Sequence, residues 1–283
     1  MTHNPRHLAV LLALTAVAAG CGQGSSSAGA PPANDAPTGA VLARAAEATA
    51  HAGTARFTLR IAMQTEQGAV AMHGAGALSL GASHRATLSL AMRLPGLPAA
   101  VAMQERIVGP VVYMHAPALT RAIPGAKPWL KVDTSALAGS AGVGLSSLMT
   151  SSSNDPTQAL SYLRTITAGV QVVGPETVDG VRTMHYRASI DLYKLADRLP
   201  VASRAGYLRL MGADDRSTAP LDVWVDGRGL LRQERFQLRM PAVDATMTLV
   251  LKLTRFGMPV HVAAPPARLT SDFQKLLGNA AGA

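Results

Sequence analysis

The feature that most constrains the fold of this chain is a repeated alternation of apolar and polar residues. It begins after Thr54, where Phe57, Leu59 and Ile61 alternate with polar neighbours. The same alternation recurs in residues 70–80, 88–94, 101–107, 184–190 and 247–253. A period of two places every second side chain on the same side of a β-strand, so one side is packed and the other is wet. These segments therefore predict antiparallel strands with one solvated face, not a βαβ arrangement.

A few helical segments interrupt the strands. A helix is predicted after Thr38, a typical N-cap residue, and its pattern stops at Gly53. Asp155 followed by Pro156 predicts the start of a second helix, which ends at Gly169. Two further short helices are expected within residues 192–199 and 207–211. A long sheet with a few helices on one side is an α+β fold.

The only cysteine of the chain, Cys21, follows a short N-terminal segment that contains the basic residue Arg6. The apolar run over residues 8–19 is shorter than the roughly 20 residues that span a bilayer, so it predicts an export signal over residues 1–20. The residues before the cysteine resemble the lipobox of bacterial lipoproteins, with Ala18 where leucine is usual. In that motif the cysteine is acylated after cleavage, which predicts anchoring to the extracytoplasmic face of the cell membrane. An ordinary secretory signal with a chance cysteine is the alternative.

The remaining chain divides into a tether, one domain and a tail. Residues 21–38 are rich in Gly, Ser and Pro and predict a lipidated flexible tether. Residues 39–273 are expected to form a single domain, and residues 274–283 a disordered tail. The segment 138–154 combines Gly and Ser with apolar residues, which predicts either a mobile loop that rests on apolar surface or an ordinary long surface loop. Its apolar residues are Val143, Leu145, Leu148 and Met149.

Patterns for catalysis or metal binding are absent from the sequence. The histidines are scattered, there is no HExxH or CxxC motif, and Ser83 lacks the closing glycine of a nucleophile elbow. Asp222 and Asp226 flank Trp224 beside a hairpin and are expected on a solvated strand edge. We therefore expect no enzyme activity, no catalytic residue, no metal and no cofactor.

The charge of the chain limits its partners. The formal net charge is +9, and Arg235 and Arg239 are expected on the wet face of one strand. Nucleic acid is excluded by the expected compartment. The basic residues would suit anionic lipid headgroups, at about 1 kcal/mol for each residue near such a surface, or they would only solvate the outer face.

Four short motifs, taken in order, resemble actinobacterial lipoproteins of the LppX/LprG type. The motifs are Lys127–Asp133, Val178–Tyr186, Pro220–Asp226 and Phe256–Val260. The resemblance covers most of residues 39–266. In that family, as in the similar LolA-type lipid carriers, a strongly curved antiparallel sheet forms a half-barrel that helices cover on its concave side, and acyl chains occupy the hollow. The resemblance implies the same α+β half-barrel here.

The composition favours such a hollow, because the chain has 12 methionines against 4 phenylalanines and 2 tryptophans. Flexible thioethers suit a surface that accepts acyl chains of different lengths. The expected lining of the cavity is Phe57, Leu59, Ile61, Met63, Leu88, Leu90, Met92, Val101, Met103, Met184 and Tyr186. A filled core is the alternative for any one of these residues.

The resemblance implies a cell-envelope lipoprotein that binds a lipid or lipoglycan in an apolar cavity and carries it across or along the envelope. Two alternatives remain open at the level of sequence. The same fold could serve as an envelope sensor or as a module that docks on an export or transporter partner. It could also be a structural surface lipoprotein without a ligand.

Overall fold

The computed structural model describes residues 38–80, 85–133, 169–197, 201–212 and 217–276. The strands are β1 Thr54–Thr65, β2 Gly68–Ser79, β3 Arg85–Arg93, β4 Val101–Val108, β5 Val111–His115, β6 Trp129–Asp133, β7 Gln171–Val178, β8 Val181–Asp191, β9 Thr218–Asp226, β10 Leu231–Met240, β11 Ala245–Thr254 and β12 Thr270–Asp272. The helices are α1 Thr38–His51, α2 Pro117–Thr120, α3 Leu192–Ala196 and α4 Val201–Met211. Single turns of 3-10 helix cover Pro241–Val243 and Ala267–Leu269.

All of these strands belong to one 12-stranded sheet, in the order β12-β6-β5-β4-β3-β2-β1-β11-β10-β9-β8-β7. Strands β1 to β6 form one antiparallel meander and β7 to β11 form a second. The pairing of β1 with β11 joins the two meanders in the middle of the sheet. The two ends of the sheet, β12 and β7, are not paired with each other, so the curved sheet stays open.

The strand register separates two faces of the sheet. We call the inner face the side that carries Phe57, Leu59 and Ile61 of β1, each no more than 4% exposed. On the outer face of the same strand lie Arg56, Thr58 and Arg60, all of which are exposed. Directly paired residues of neighbouring strands point to the same face, so the register assigns a face to every other strand.

Helices α1, α3 and α4 cover the inner face. The first apolar cluster contains buried inner-face residues of β1 to β4 together with Leu192 and Ala196 of α3 and Tyr207 and Met211 of α4. The second apolar cluster joins α1 to strands β8 and β9, through Leu42, Ala45, Ala188, Ile190, Leu221, Val223 and Val225. Burial of one face against helices is what an amphipathic sheet requires for stability.

Helix α1 is also fixed to the sheet by a polar contact. The hydroxyl of Thr49 donates to the carbonyl oxygen of Ala45 at 2.6 Å and accepts from the amide of Leu231 at 2.8 Å. Thr49 is fully buried. The second bond satisfies a backbone donor at the irregular start of β10, where the pairing with β9 shifts register between Leu231 and Gln233.

The glycines of β2 allow the sheet to pack closely at its bend. A Cβ atom built on Gly76 would lie 1.9 Å from the carbonyl oxygen of Thr87 and 2.9 Å from the ring of Phe57. A Cβ on Gly74 would lie 2.6 Å from a methyl carbon of Leu90. Strand β2 thus lies so close to its neighbours at these two positions that a Cβ atom would clash with them.

The predicted fold class is confirmed, because the structure is an open, curved, mostly antiparallel sheet with helices on its inner face. One pairing differs from the expected antiparallel pattern: the three residues of β12 pair with β6 in parallel. The chain between β11 and β12 leads from the middle of the sheet to its end. Strand β12 therefore reaches β6 in the parallel orientation. The predicted helix from Asp155 to Gly169 lies outside the described residues, except for its last residue.

We predict that Gly76→Ala lowers the free energy of unfolding by about 1–3 kcal/mol or more, because the new methyl group has no space between β1 and β3. The matched control is Gly206→Ala in α4, where a Cβ meets no atom within 4 Å. That change should be neutral or stabilising by up to about 1 kcal/mol, because alanine is the better helix former. Urea denaturation measures both. Equal effects of the two substitutions would contradict the tight packing at Gly76.

Candidate functional site

The candidate site lies on the inner face, where large side chains remain partly accessible. Met184 and Tyr186 of β8, Phe236 of β10, and Leu249 and Leu251 of β11 are all half-buried. Their strand neighbours Val223 and Leu59 are 4% and 1% exposed. An apolar side chain that faces inward and still contacts solvent borders an opening, because close-packed interiors leave no such access.

This partly open region separates the two apolar clusters. Leu195, Leu231 and Phe236 pack against both clusters. The sheet forms the floor of the region, and α1 and α3 contribute residues to the apolar clusters beside it. The floor is a cross-strand row that runs from β1 to β8 through the central pairing of the two meanders. Its members are Leu59, Leu251, Glu234, Val223 and Tyr186.

Glu234 is the polar member of this row. Its neighbours across the sheet are Leu251 on β11 and Val223 on β9. The structure gives its carboxyl group no hydrogen bond or ion pair with any of the residues it describes. Burial raises the pKa of Glu234 to about 7, because the surrounding protein disfavours the charged form. The side chain is nevertheless half-buried, not sealed. Glu234 is thus largely surrounded by protein and still partly accessible to solvent.

The other titratable group of the row is Tyr186. Burial raises the pKa of its hydroxyl, and the positive charge of Arg44 on α1 opposes that shift. The row therefore offers hydrogen-bonding groups only at Glu234 and at Tyr186, and the remaining members are aliphatic. Chemically, the region can hold hydrocarbon and can hydrogen-bond an uncharged polar group at two defined points.

The structure places every residue of the expected cavity lining on the inner face. Six of them are buried in the first apolar cluster: Phe57, Leu59, Ile61, Leu88, Leu90 and Met103. Met63 and Met92 are half-buried against the same cluster. Val101 is half-buried at the start of β4, and Met184 and Tyr186 belong to the partly open region. Cys21, Val143, Leu145, Leu148 and Met149 lie outside the described residues.

Four residues of this region were not predicted as site residues from the sequence: Glu234, Phe236, Leu249 and Leu251. A signal for Glu234 exists, because it alternates in phase with Phe236, Leu238 and Met240 and so occupies an inward position of its strand. A carboxylate in an inward position of an otherwise apolar strand face is a departure from the pattern. Leu249 and Leu251 belong to a recognised strand, but only the register shows that they lie beside Glu234.

A second polar cluster lies on the outer face of β7, β8 and β9. The two ring nitrogens of His185 lie 2.9 Å from Glu176 Oε1 and 2.9 Å from Asp222 Oδ1. The imidazole stacks on the indole of Trp224, with ring centroids 4.3 Å apart and planes at 12°. The Trp224 indole donates to Glu176 Oε2 at 2.7 Å. This hydrogen bond is the main cause that lowers the pKa of Glu176, and the hydrogen bond with His185 is the second. These side-chain contacts link strands β7, β8 and β9.

The expectation that Asp222 and Asp226 lie on a solvated edge is wrong, because they are only 8% and 7% exposed. Burial by itself would raise the pKa of Asp222, but hydrogen bonds from His185 and Arg187 outweigh it and lower the pKa. Asp226 accepts from the amides of the β9–β10 turn and from Arg232 Nε at 2.7 Å. Both carboxylates are buried because they accept hydrogen bonds that offset the cost of burial.

The described residues contain no group of three or more His, Cys, Asp or Glu side chains arranged to hold a metal ion. Within the same ranges, no helix has the length and apolar character needed to cross a membrane. Arg235 and Arg239 are exposed on the outer face of β10, as the sequence analysis expected.

No protein-family model matches the chain, and no curated protein matches it in sequence. Among solved structures, it is similar to LprF from Mycobacterium bovis, with 10% identity over 81% of this chain and 97% of that chain and a TM-score of 0.45. It is also similar to the lipoprotein LppX from Mycobacterium tuberculosis, with 15% identity over 80% and 98% of the two chains and a TM-score of 0.44. A LolA superfamily protein from Nitrosomonas europaea shares 8% identity over 80% and 96%, with a TM-score of 0.30. The LppX and LolA types that the sequence motifs resemble are thus among the similar structures, and this similarity concerns the fold alone.

We predict that Glu234→Gln is more stable than the wild type at about pH 8, by about 1–3 kcal/mol, and equally stable near pH 4. A free glutamate titrates near about pH 4.3, whereas Glu234 in the folded protein titrates near 7. The wild type therefore loses stability as the pH rises between these values, and the glutamine variant does not. Urea denaturation at both pH values measures the difference.

The control for this prediction is Glu66→Gln, because Glu66 is exposed in the turn between β1 and β2. It should give no gain that depends on pH. A gain of the same size at pH 4 and pH 8 for Glu234→Gln would show that the carboxyl group is not held neutral by its surroundings.

Proposed function

We propose that this chain is a cell-envelope lipoprotein that holds the acyl chains of a lipid or lipoglycan against the inner face of its sheet and carries that molecule across or along the envelope. The observation that supports the proposal most is the set of half-buried inner-face side chains between two buried apolar clusters, namely Met184, Tyr186, Phe236, Leu249 and Leu251. A solvent-accessible apolar surface inside a fold is unfavourable unless something covers it. An acyl chain would cover it.

The energetics suit a carrier. A chain of about 16 methylenes gains roughly 13 kcal/mol on leaving water, at about 0.8 kcal/mol for each group. The membrane offers nearly the same gain, so transfer between membrane and protein is close to balanced. The protein then needs an opening and an adaptable lining more than it needs a tight site.

The proposed lining combines two sets of residues. The first set is the one predicted from the sequence, in which Met63, Met92, Met103 and Met184 provide adaptable side chains. The second set is Glu234, Phe236, Leu249 and Leu251, which the register adds. In the neutral form Glu234 donates a hydrogen bond, so an ester or hydroxyl oxygen of the lipid would satisfy it without burying a charge.

The proposal includes anchoring at Cys21 through acyl chains. Residues 21–38 would act as the tether, with an average reach of roughly 20–25 Å for a flexible chain of this length. Such a tether keeps the domain beside the membrane from which a lipid is taken. An export or transporter partner would then supply or receive the lipid.

The test replaces one residue of the floor by a bulkier one. We expect Leu251→Trp to weaken binding of a fluorescent acyl probe about tenfold or more, because the indole fills the hollow that the probe occupies. The free energy of unfolding should change by less than about 1 kcal/mol, because the indole enters open space. Fluorescence titration and urea denaturation measure the two quantities.

The control is Val250→Trp. Val250 is the preceding residue of β11, is also half-buried, and points to the outer face. It should leave probe binding unchanged. Two results would show that the hollow does not lie above β11. One is that Leu251→Trp binds the probe as the wild type does. The other is that it loses about 3 kcal/mol of stability, as overpacked cores do. A wild-type chain that binds no acyl probe would favour the sensor or structural alternatives.

A further inference from the structure

The outer face carries an open groove with a volume of about 600 Å³. It crosses strands β1 to β4, and two neighbouring cross-strand rows form most of its lining. One row consists of Arg56, Ala77, Thr87 and Arg106. The next row consists of Thr58, Ala75, Ser89 and Gln104.

The shape of the groove follows from side-chain size. The outer-face positions of the middle strands β2 and β3 contribute only alanine, threonine and serine to the lining, so the floor is low. The flanking strands contribute the longer side chains, above all Arg56 on β1 and Arg106 on β4, so the walls are high. Three strand spacings of about 4.8 Å separate the backbones of these arginines by roughly 14 Å. Extended guanidinium groups can reach over the floor from both sides.

Both walls of the groove carry positive charge. Arg56 is exposed and makes no hydrogen bond or ion pair with any residue that the structure describes. Arg106 Nη1 donates to the carbonyl oxygen of Ala263 at 3.3 Å, and its guanidinium lies 4.8 Å from the centre of the Trp129 ring. Neither arginine has a carboxylate partner among the described residues. The positive charge of both walls is therefore available to an anion.

No acidic side chain opposes these arginines on the floor. The outer-face positions of β1 to β4 contain no aspartate or glutamate. Glu105 borders the groove but belongs to the inward set of β4 and is 1% exposed. Hydroxyl groups of Thr58, Thr87 and Ser89 and the amide of Gln104 are the polar groups between the walls.

We propose that this groove binds a phosphorylated polyol, with the phosphate held by Arg56 and Arg106 and the hydroxyl groups of the polyol held by the polar floor. Guanidinium groups match phosphate in charge and geometry, because each can donate two parallel hydrogen bonds to it. A volume of about 600 Å³ suits a ligand of the size of a sugar phosphate. The ligand is either a free sugar phosphate or the headgroup of a lipid with the same chemistry.

This site is independent of lipid binding on the inner face, because the sheet separates the two faces and the side chains of Arg56 and Arg106 lie on the outer one. Occupation of the groove does not require an acyl chain, and Leu251 takes no part in it. The Leu251→Trp variant should therefore bind groove ligands as the wild type does, so a failure of the inner site and a failure of the groove are distinguishable.

The experiment uses the full chain, isothermal titration calorimetry and three probes: myo-inositol 1-phosphate, unphosphorylated myo-inositol, and dihexanoyl phosphatidylinositol below its micelle concentration. We expect Arg56→Gln to weaken binding of both phosphorylated probes about tenfold or more, since it removes charge-assisted hydrogen bonds. The unphosphorylated polyol should bind at least about tenfold more weakly than its phosphate to the wild type. Tighter binding of the free phosphate identifies a soluble ligand, and tighter binding of the lipid identifies a headgroup.

The matched control is Arg60→Gln. Arg60 lies on the same strand and the same face, is also exposed, and is absent from the groove lining. It should change the affinity by less than about twofold, the size expected for screened, longer-range attraction. Equal weakening by Arg56→Gln and Arg60→Gln, or no weakening by Arg56→Gln, would overturn the proposal, because binding would then follow net charge and not the groove.

Discussion

The antiparallel pairing of β1 with β11 is the interaction on which the rest of the structure depends. It matches Arg56–Gln64 with residues 246–254 and joins two meanders that are far apart in sequence. Leu59 opposite Leu251 is one of its four inward pairs. Because Leu251 in turn lies opposite Glu234, this pairing brings the first apolar cluster beside the second and creates the partly open region between them. Neither meander alone contains the whole floor row from Leu59 to Tyr186.

The two faces of the sheet have different chemical characters because of one periodic constraint. A residue on β1 to β4 faces either the helices or the solvent, and a shift of register by one position would exchange the two sets. The inner set is mostly apolar, with Glu105 as its one acidic member, and the outer set is mostly basic, small or polar and uncharged. The same alternation therefore produces an inner surface suited to hydrocarbon and an outer groove suited to an anion. The small residues of β2 contribute to both surfaces. Gly76 lets the strands approach closely, and Ala75 and Ala77 keep the groove floor low.

Much of this arrangement could be predicted from the sequence, because strand identity and face depend on local alternation. The inward positions of Phe57, Leu59 and Leu90 follow from that alternation alone. The pairing of β1 with β11 could not be predicted, since no local signal specifies a partner almost two hundred residues away. The burial of Asp222 was missed for the same reason: it depends on His185 and Arg187, which reach it only across a strand pair. The groove depends on the register of four strands, so Arg56 and Arg106 could not be related from the sequence.

The central claim is that the inner face holds a lipid by noncovalent contact. The most direct measurement is mass spectrometry of the full chain, extracted from its own cell envelope in a mild non-ionic detergent, under native and then denaturing conditions. Covalent acyl groups contribute the same mass to both spectra, so the difference between them reports bound molecules only. We expect an excess mass in the native spectrum that fragmentation identifies as a lipid or lipoglycan with acyl chains. Identical masses under both conditions, with the protein folded, would contradict it.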